Sequence, residues 1–175
     1  FFDEESIALS LTVSGTPPTP PTLAPGAVVI NEVMWMGSFA DPLDEWIEFR
    51  NMTGSDVDLS GCVIEKAGQG GHPNLIFPAG SIIAANGYFV MAQFLPDNVK
   101  SDLNMTADWI TVSISLNNGS NGDLRLVCDS TLIDSAKGDS WPAGENGTLV
   151  RQSMERNNDP GDGLVAGNWH TCIDE

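Results

Sequence analysis

Positive charge is what this sequence most lacks. Its 175 residues hold seven Lys and Arg against 24 Asp and Glu, a formal net charge of −17. Neutralising a phosphate backbone takes Lys and Arg, so nucleic acid is not an expected partner. Histidine is nearly absent too: His72 and His170 stand far apart, and neither sits in a setting that suggests a catalytic triad. No run of about 20 apolar residues exists, so no membrane insertion is expected. Helical periodicity is missing apart from one turn near Asn98–Asn104. The three cysteines, Cys62, Cys128 and Cys172, cannot all pair within one chain, and none has CxxC or metal-ligand spacing.

What is present is strand period. Short runs rich in Val, Ile, Phe and Trp recur between Gly, Pro, Asn and Asp: Val28–Met34, Trp46–Arg50, Cys62–Lys66, Tyr88–Ala92, Ile110–Leu116, Leu124–Cys128 and Leu132–Ala136. Leu124, Leu126 and Cys128 alternate with Arg125 and Val127, which sets one face on a core. Gly54, Asn118-Gly119 and Asn121-Gly122 are expected to supply the positive-φ turns of hairpins. The predicted class is all-β, and a chain of this length can bury its own core. The acidic excess fits a solvated exterior, a saline habitat or bound cations.

The order of these pieces carries a family resemblance. Val28–Ile64 reads as a strand, a second strand closing on Asn51, a turn, and a third strand opened by Leu59-Ser60-Gly61. Later, Leu124–Val127 turns into Leu132-Ile133-Asp134-Ser135, followed by Ser153-Met154-Glu155-Arg156, then Asp159 and Asp162, then Asn168-Trp169. This series, from Ala27 to Cys172, resembles the lamin-tail domain, an immunoglobulin-like two-sheet β-sandwich. The resemblance implies a recognition or building unit, not an enzyme. Cys62 departs from the family pattern, which has an aromatic after Ser-Gly, so the usual core packing is not assumed there.

The N-terminal part stands outside that pattern. In residues 1–14, Ile7, Leu9, Leu11 and Val13 alternate strictly with Ala8, Ser10 and Thr12. Residues 15–26 form a Pro/Thr-rich linker with two Pro-Pro pairs. Such a spacer favours polyproline geometry and reaches on the order of 35 Å. A lone strand cannot satisfy its backbone, so it pairs with its own sandwich (27–175) or with that of a neighbour. The second case, repeated, gives an open head-to-tail polymer and resembles the donor strands of extracellular filament subunits. A chain beginning Phe1-Phe2-Asp3 also fits a processed, secreted protein or a trimmed one.

Several residues are candidates for chemistry. Cys128 ends a strand and Cys172 lies on the tail after Trp169, so a Cys128–Cys172 bridge is expected, with Cys62 as a small core residue; three reduced thiols are the alternative. Glu32, Asp44, Glu45 and Glu48 are acids of the kind that hydrolyse glycosidic bonds when held in a cleft. The Gly68–Pro73 stretch with His72 lacks a phosphate-binding lysine and reads as a surface loop. Asn157–Gly163 sets oxygen ligands beside glycines, as calcium would want, although Asx-turns explain the same residues. Sequons at Asn51, Asn104, Asn118 and Asn146 fall in or beside turns, where glycans are accommodated.

The expectation is a secreted, non-enzymatic, cell-surface subunit whose partners are copies of itself and which needs no cofactor. It polymerises by donating Ile7, Leu9, Leu11 and Val13. The alternative is a monomeric binding or accessory module of a secreted surface protein.

Overall fold

Alternation of apolar residues on strand period builds two sheets that share one core. The structure, a computed structural model, describes residues 22–69, 74–119, 124–136 and 140–173. The segment bearing Ile7, Leu9, Leu11 and Val13, most of the linker, His72 and the Asn121-Gly122 pair lie outside the described residues.

The strands are β1 (Val28–Met34), β2 (Trp46–Asn51), β3 (Val57–Asp58), β4 (Val63–Glu65), β5 (Leu75–Ile76), β6 (Ile82–Ile83) and β7 (Tyr88–Ala92). There follow β8 (Trp109–Ile110), β9 (Leu124–Cys128), β10 (Thr131–Ala136), β11 (Glu145–Asn146), β12 (Arg151–Gln152), β13 (Met154–Arg156) and β14 (Trp169–Thr171). Among the described residues the only helix is one 3-10 turn, Ala166–Asn168. The large sheet has the order β14-β13-β1-β2-β7-β8 and the smaller one β10-β9-β4-β5, with two-stranded ribbons β11-β12 and β3-β6 beside them. All pairings are antiparallel except β7 with β8.

Ile30, Ile47, Phe49, Phe89 and Met91 of the large sheet join Ile64, Leu124, Leu126 and Ile133 of the smaller one in a single buried cluster. Phe77 is fully enclosed there, edge-on to Phe49 at 5.2 Å and tilted against Phe89 and Trp109. Burying each such side chain is worth roughly 1.5–3 kcal/mol before entropy. The intervening residues of the large sheet, Met34, Trp46, Val90 and Ala92, pack into a second cluster with Met36 and Leu103. The large sheet is therefore covered on both faces.

Three expectations need correction. The bridge is Cys62–Cys128, not Cys128–Cys172. β4 and β9 are neighbours with Val63 opposite Val127, which sets Cys62 and Cys128 across from each other with Cα atoms 4.4 Å apart. Cys172 follows β14, in the other sheet. The cystine thus occupies core space at the position where an aromatic is absent. The stretch Ile110–Leu116 is not a strand beyond Ile110: Ile114 and Leu116 are buried, but an isolated bridge from Ile114 to Gly68 is its only further ladder contact among the described residues. Finally, Gly54 and Gly119 do not take positive φ, whereas Asp129 (47°) and Ser130 (66°) do. These two residues close the β9–β10 hairpin, and paired left-handed residues match the right-handed twist of its strands.

Candidate binding site on the outer face of the large sheet

A bulge in β1 creates the outer face. Ile30 opposes Phe49 and Glu32 opposes Glu48, so Asn31 is the extra residue. One inserted residue reverses the alternation. Ile30 and Val33 both reach the core, while Glu32 turns outward beside Glu48. The register continues across the sheet, with Glu32 opposite Glu155 and Glu155 opposite His170. Three carboxylates and an imidazole thus line up over β2, β1, β13 and β14.

Like charges opposite one another are unfavourable, and neighbours compensate. Asn31 donates to Glu48 Oε1 (2.7 Å), Ser153 Oγ donates to Glu32 Oε1 (2.6 Å), and Trp46 Nε1 donates to the same oxygen (3.4 Å). His170 Nε2 lies 3.3 Å from Glu155, and its Nδ1 lies 3.1 Å from Asn157 Oδ1. Burial pushes the Glu48 carboxyl above the usual range, and the Glu155 charge adds to this; the Asn31 hydrogen bond and the Arg50 charge oppose it.

Above the Glu32–Glu48 end of this row is a cleft of about 510 Å³. Its floor is Glu32, Trp46, Glu48 and Val90, and its walls come from 102–105 on one side and 149–152 on the other, with Phe39 at the rim. The walls are tied to the sandwich. Asp102 N donates to Asp44 Oδ2 (2.8 Å), and Ala40 N donates to Asp102 Oδ2 (3.1 Å). Arg151 donates to Ser38 O (2.8 Å) and lies 5.9 Å from the Phe39 ring centre.

Of the four acids singled out in the sequence, the fold brings Glu32 and Glu48 together in this cleft. Asp44 is buried and anchors a wall. Glu45 is buried beneath the 111–116 segment, where its Oε2 accepts from Leu116 N (2.8 Å). Burial without a cationic partner pushes its carboxyl up to about 8.

The other end of the sandwich shows a different arrangement. Arg156 pairs with Asp134 across the two sheets at 2.6 Å, and Asp134 also accepts from Ile30 N (2.8 Å). Burial pushes the Asp134 carboxyl up, with the Arg156 charge opposing it. Arg156 stacks 4.6 Å from the Trp169 ring centre and donates to Pro160 O (2.8 Å) and Gly161 O (2.9 Å). A Cβ at Gly163 would run into Ser135 O and this guanidinium, so only glycine fits there. The carbonyls that the calcium reading of Asn157–Gly163 needs therefore face a guanidinium, and Asp162 Oδ1 accepts from Leu164 N (2.9 Å). Among the described residues no group of three or more His, Cys, Asp and Glu side chains could hold a metal ion.

The sequons divide. Asn104, Asn118 and Asn146 are exposed. Asn51 is corrected as a glycan acceptor: it is 1% exposed, and its amide donates to the carbonyls of Ser55, Ile83 and Ala84. Its oxygen accepts from Thr53 N and Thr53 Oγ1 (2.8 Å each). The Asn-x-Thr pattern there closes a turn.

An all-β pair of facing sheets of immunoglobulin-like kind is the class that these strands define. The family model of the Lamin Tail Domain matches residues 21–152, and the chain belongs to that family. No curated protein matches the chain. Arg156 and Trp169 lie past the matched stretch, yet both complete the junction around Asp134 within it.

Sequence reasoning missed the Asn31 bulge, the Glu155–His170 pair and the cleft walls. The bulge's one mark is the three-residue step from Ile30 to Val33 where strand period expects two, and cross-strand neighbours are set by register. The other available signal was Glu155 between Met154 and Arg156, an outward position on a strand.

Proposed function

We propose that the chain is a secreted structural subunit that polymerises head-to-tail, donating the strand of Ile7, Leu9, Leu11 and Val13 to a neighbouring copy and forming a cell-surface filament or sheath. One observation carries this reading: a strictly alternating segment on a stiff Pro/Thr-rich linker accompanies a sandwich with strands β14, β8, β10 and β5 at its sheet edges. Edge strands offer unpaired backbone groups, and strand addition relieves that liability. The Cys62–Cys128 bridge fits an oxidising compartment, and extracellular placement is the finer reading proposed here. The role is non-enzymatic: hydrogen bonds hold Glu32 and Glu48 as parts of a sheet face, and Asp44 and Glu45 are engaged elsewhere. The −17 charge speaks against nucleic acid as a partner.

Sedimentation of purified protein tests the reading. The expected result is polymer for the wild type and an 18.6 kDa species for the Leu9→Asp, Leu11→Asp double variant, with the sandwich still folded. A variant that unfolds as a monomer would assign the strand to its own domain and overturn the filament. The cleft above the large sheet favours a second reading, a binding module that is monomeric in isolation. A wild type that sediments only as monomer would support it.

A further inference from the structure

We propose that the cleft over the large sheet binds a lysine side chain presented by a partner protein. The inference does not depend on polymerisation, since the described residues that line the cleft all belong to the sandwich.

Glu48 carries the argument. It is 9% exposed and lines the cleft floor. Its Oε1 accepts from Asn31, and its other oxygen has no hydrogen-bond partner among the described residues. A buried carboxylate without a cation is unfavourable. The same sandwich satisfies Asp134 with Arg156 at 2.6 Å, whereas Glu48 has no salt bridge among the described residues and feels the Arg50 charge only from beyond contact distance. Its register neighbours are Glu32 and Val90.

The surroundings specify the missing group. Glu32 and Asp102 line the same cleft, so three carboxylates face one arginine, Arg151. That arginine is engaged by the Ser38 carbonyl and the Phe39 ring. The local field is that of an anion, and it attracts a cation. The walls carry apolar side chains among polar ones: Leu103, Met105, Leu149 and Val150. A four-carbon stem packs along such walls while its ammonium, with three donors, meets Glu48 and Glu32. A presented residue fits better than a free amine because the rim itself is apolar. Phe39 is 56% and Leu149 88% exposed, and the flanks of a partner chain would cover both.

The test uses the full chain and ligand-observed saturation-transfer NMR, which tolerates monomer and polymer alike. The probes are acetyl-Gly-Lys-Gly-amide, its norleucine counterpart and n-butylammonium. The lysine peptide is expected to show saturable transfer into its side-chain methylenes, with the norleucine peptide at least tenfold weaker. Glu48→Gln is expected to weaken lysine binding at least tenfold. Leu149→Ser, at an exposed position that leaves the fold intact, is expected to weaken it severalfold. Equal binding of the two peptides, or unchanged affinity in either variant, would overturn the proposal. Binding of n-butylammonium without binding of the lysine peptide would overturn the presented-lysine assignment.

Discussion

Asp134 and Glu48 are both carboxylates buried in one sandwich, and the fold treats them in opposite ways. Asp134 points between the sheets and meets Arg156, the Ile30 amide and, through Arg156, the Trp169 ring and the carbonyls of the following loop. Glu48 points outward into a cleft and meets one asparagine amide. The first arrangement is a closed junction that ties β10, β13 and the 157–163 loop together. The second is open: one carboxylate oxygen accepts from Asn31, and the side chain lines the cleft. A buried charge completed internally reads as structure, whereas one left open at a cavity wall is a candidate for binding.

The largest expected effect comes from breaking the closed junction. Arg156→Ala leaves Asp134 buried without its cation, and urea unfolding should show a loss of about 3–5 kcal/mol. Removing the core bridge comes next. Cys62 and Cys128 are 66 residues apart, and replacing both with Ser should lower stability by roughly 2–4 kcal/mol through the entropy of the unfolded chain. Tail mobility near Cys172 should be unchanged by that substitution, because the tail is not part of the bridge.

Glu45 sharpens the contrast through pH. Its carboxyl is raised to about 8 in the folded state, so the folded chain retains a proton that the unfolded chain releases near 4.5. Stability from this group is complete below the unfolded value and is lost as pH rises towards 8, at no more than about 1.4 kcal/mol per pH unit. Glu45→Gln should remove that dependence. Thermal unfolding of the variant is expected to gain on the wild type steadily between about pH 5 and 8. The smallest effect is at Glu48. Its carboxyl is shifted in the same direction, so Glu48→Gln should also stabilise near neutral pH, by less than the Glu45 substitution does. The same substitution should weaken lysine binding, which separates a gain in stability from a loss of function.

Much of the fold was legible because some strands are long and cleanly patterned. Val28–Met34, Tyr88–Ala92 and Leu124–Cys128 are observed with the bounds that their apolar runs predicted. Two-residue strands such as β3, β5 and β6 are too short to show a period. Ile110–Leu116 misled because Ile114 and Leu116 alternate as a strand would, yet they plug the core from a loop. The cysteine pairing was not legible, since it follows from β4 lying beside β9 and not from sequence spacing. The acidic row was hidden for the same reason. Glu32, Glu48, Glu155 and His170 become neighbours through register, and a one-residue bulge at Asn31 decides which face Glu32 takes.

The contrast between closed and open carboxylates is tested most directly by following the side-chain carboxyl ¹³C signals of Asp134, Glu45 and Glu48 through one pH titration of the full chain. The expected result is a midpoint of about 8 for Glu45, a raised midpoint for Glu48 that falls when the lysine peptide is added, and an Asp134 midpoint indifferent to the peptide. Ordinary midpoints near 4 for both glutamates, unmoved by the peptide, would contradict it.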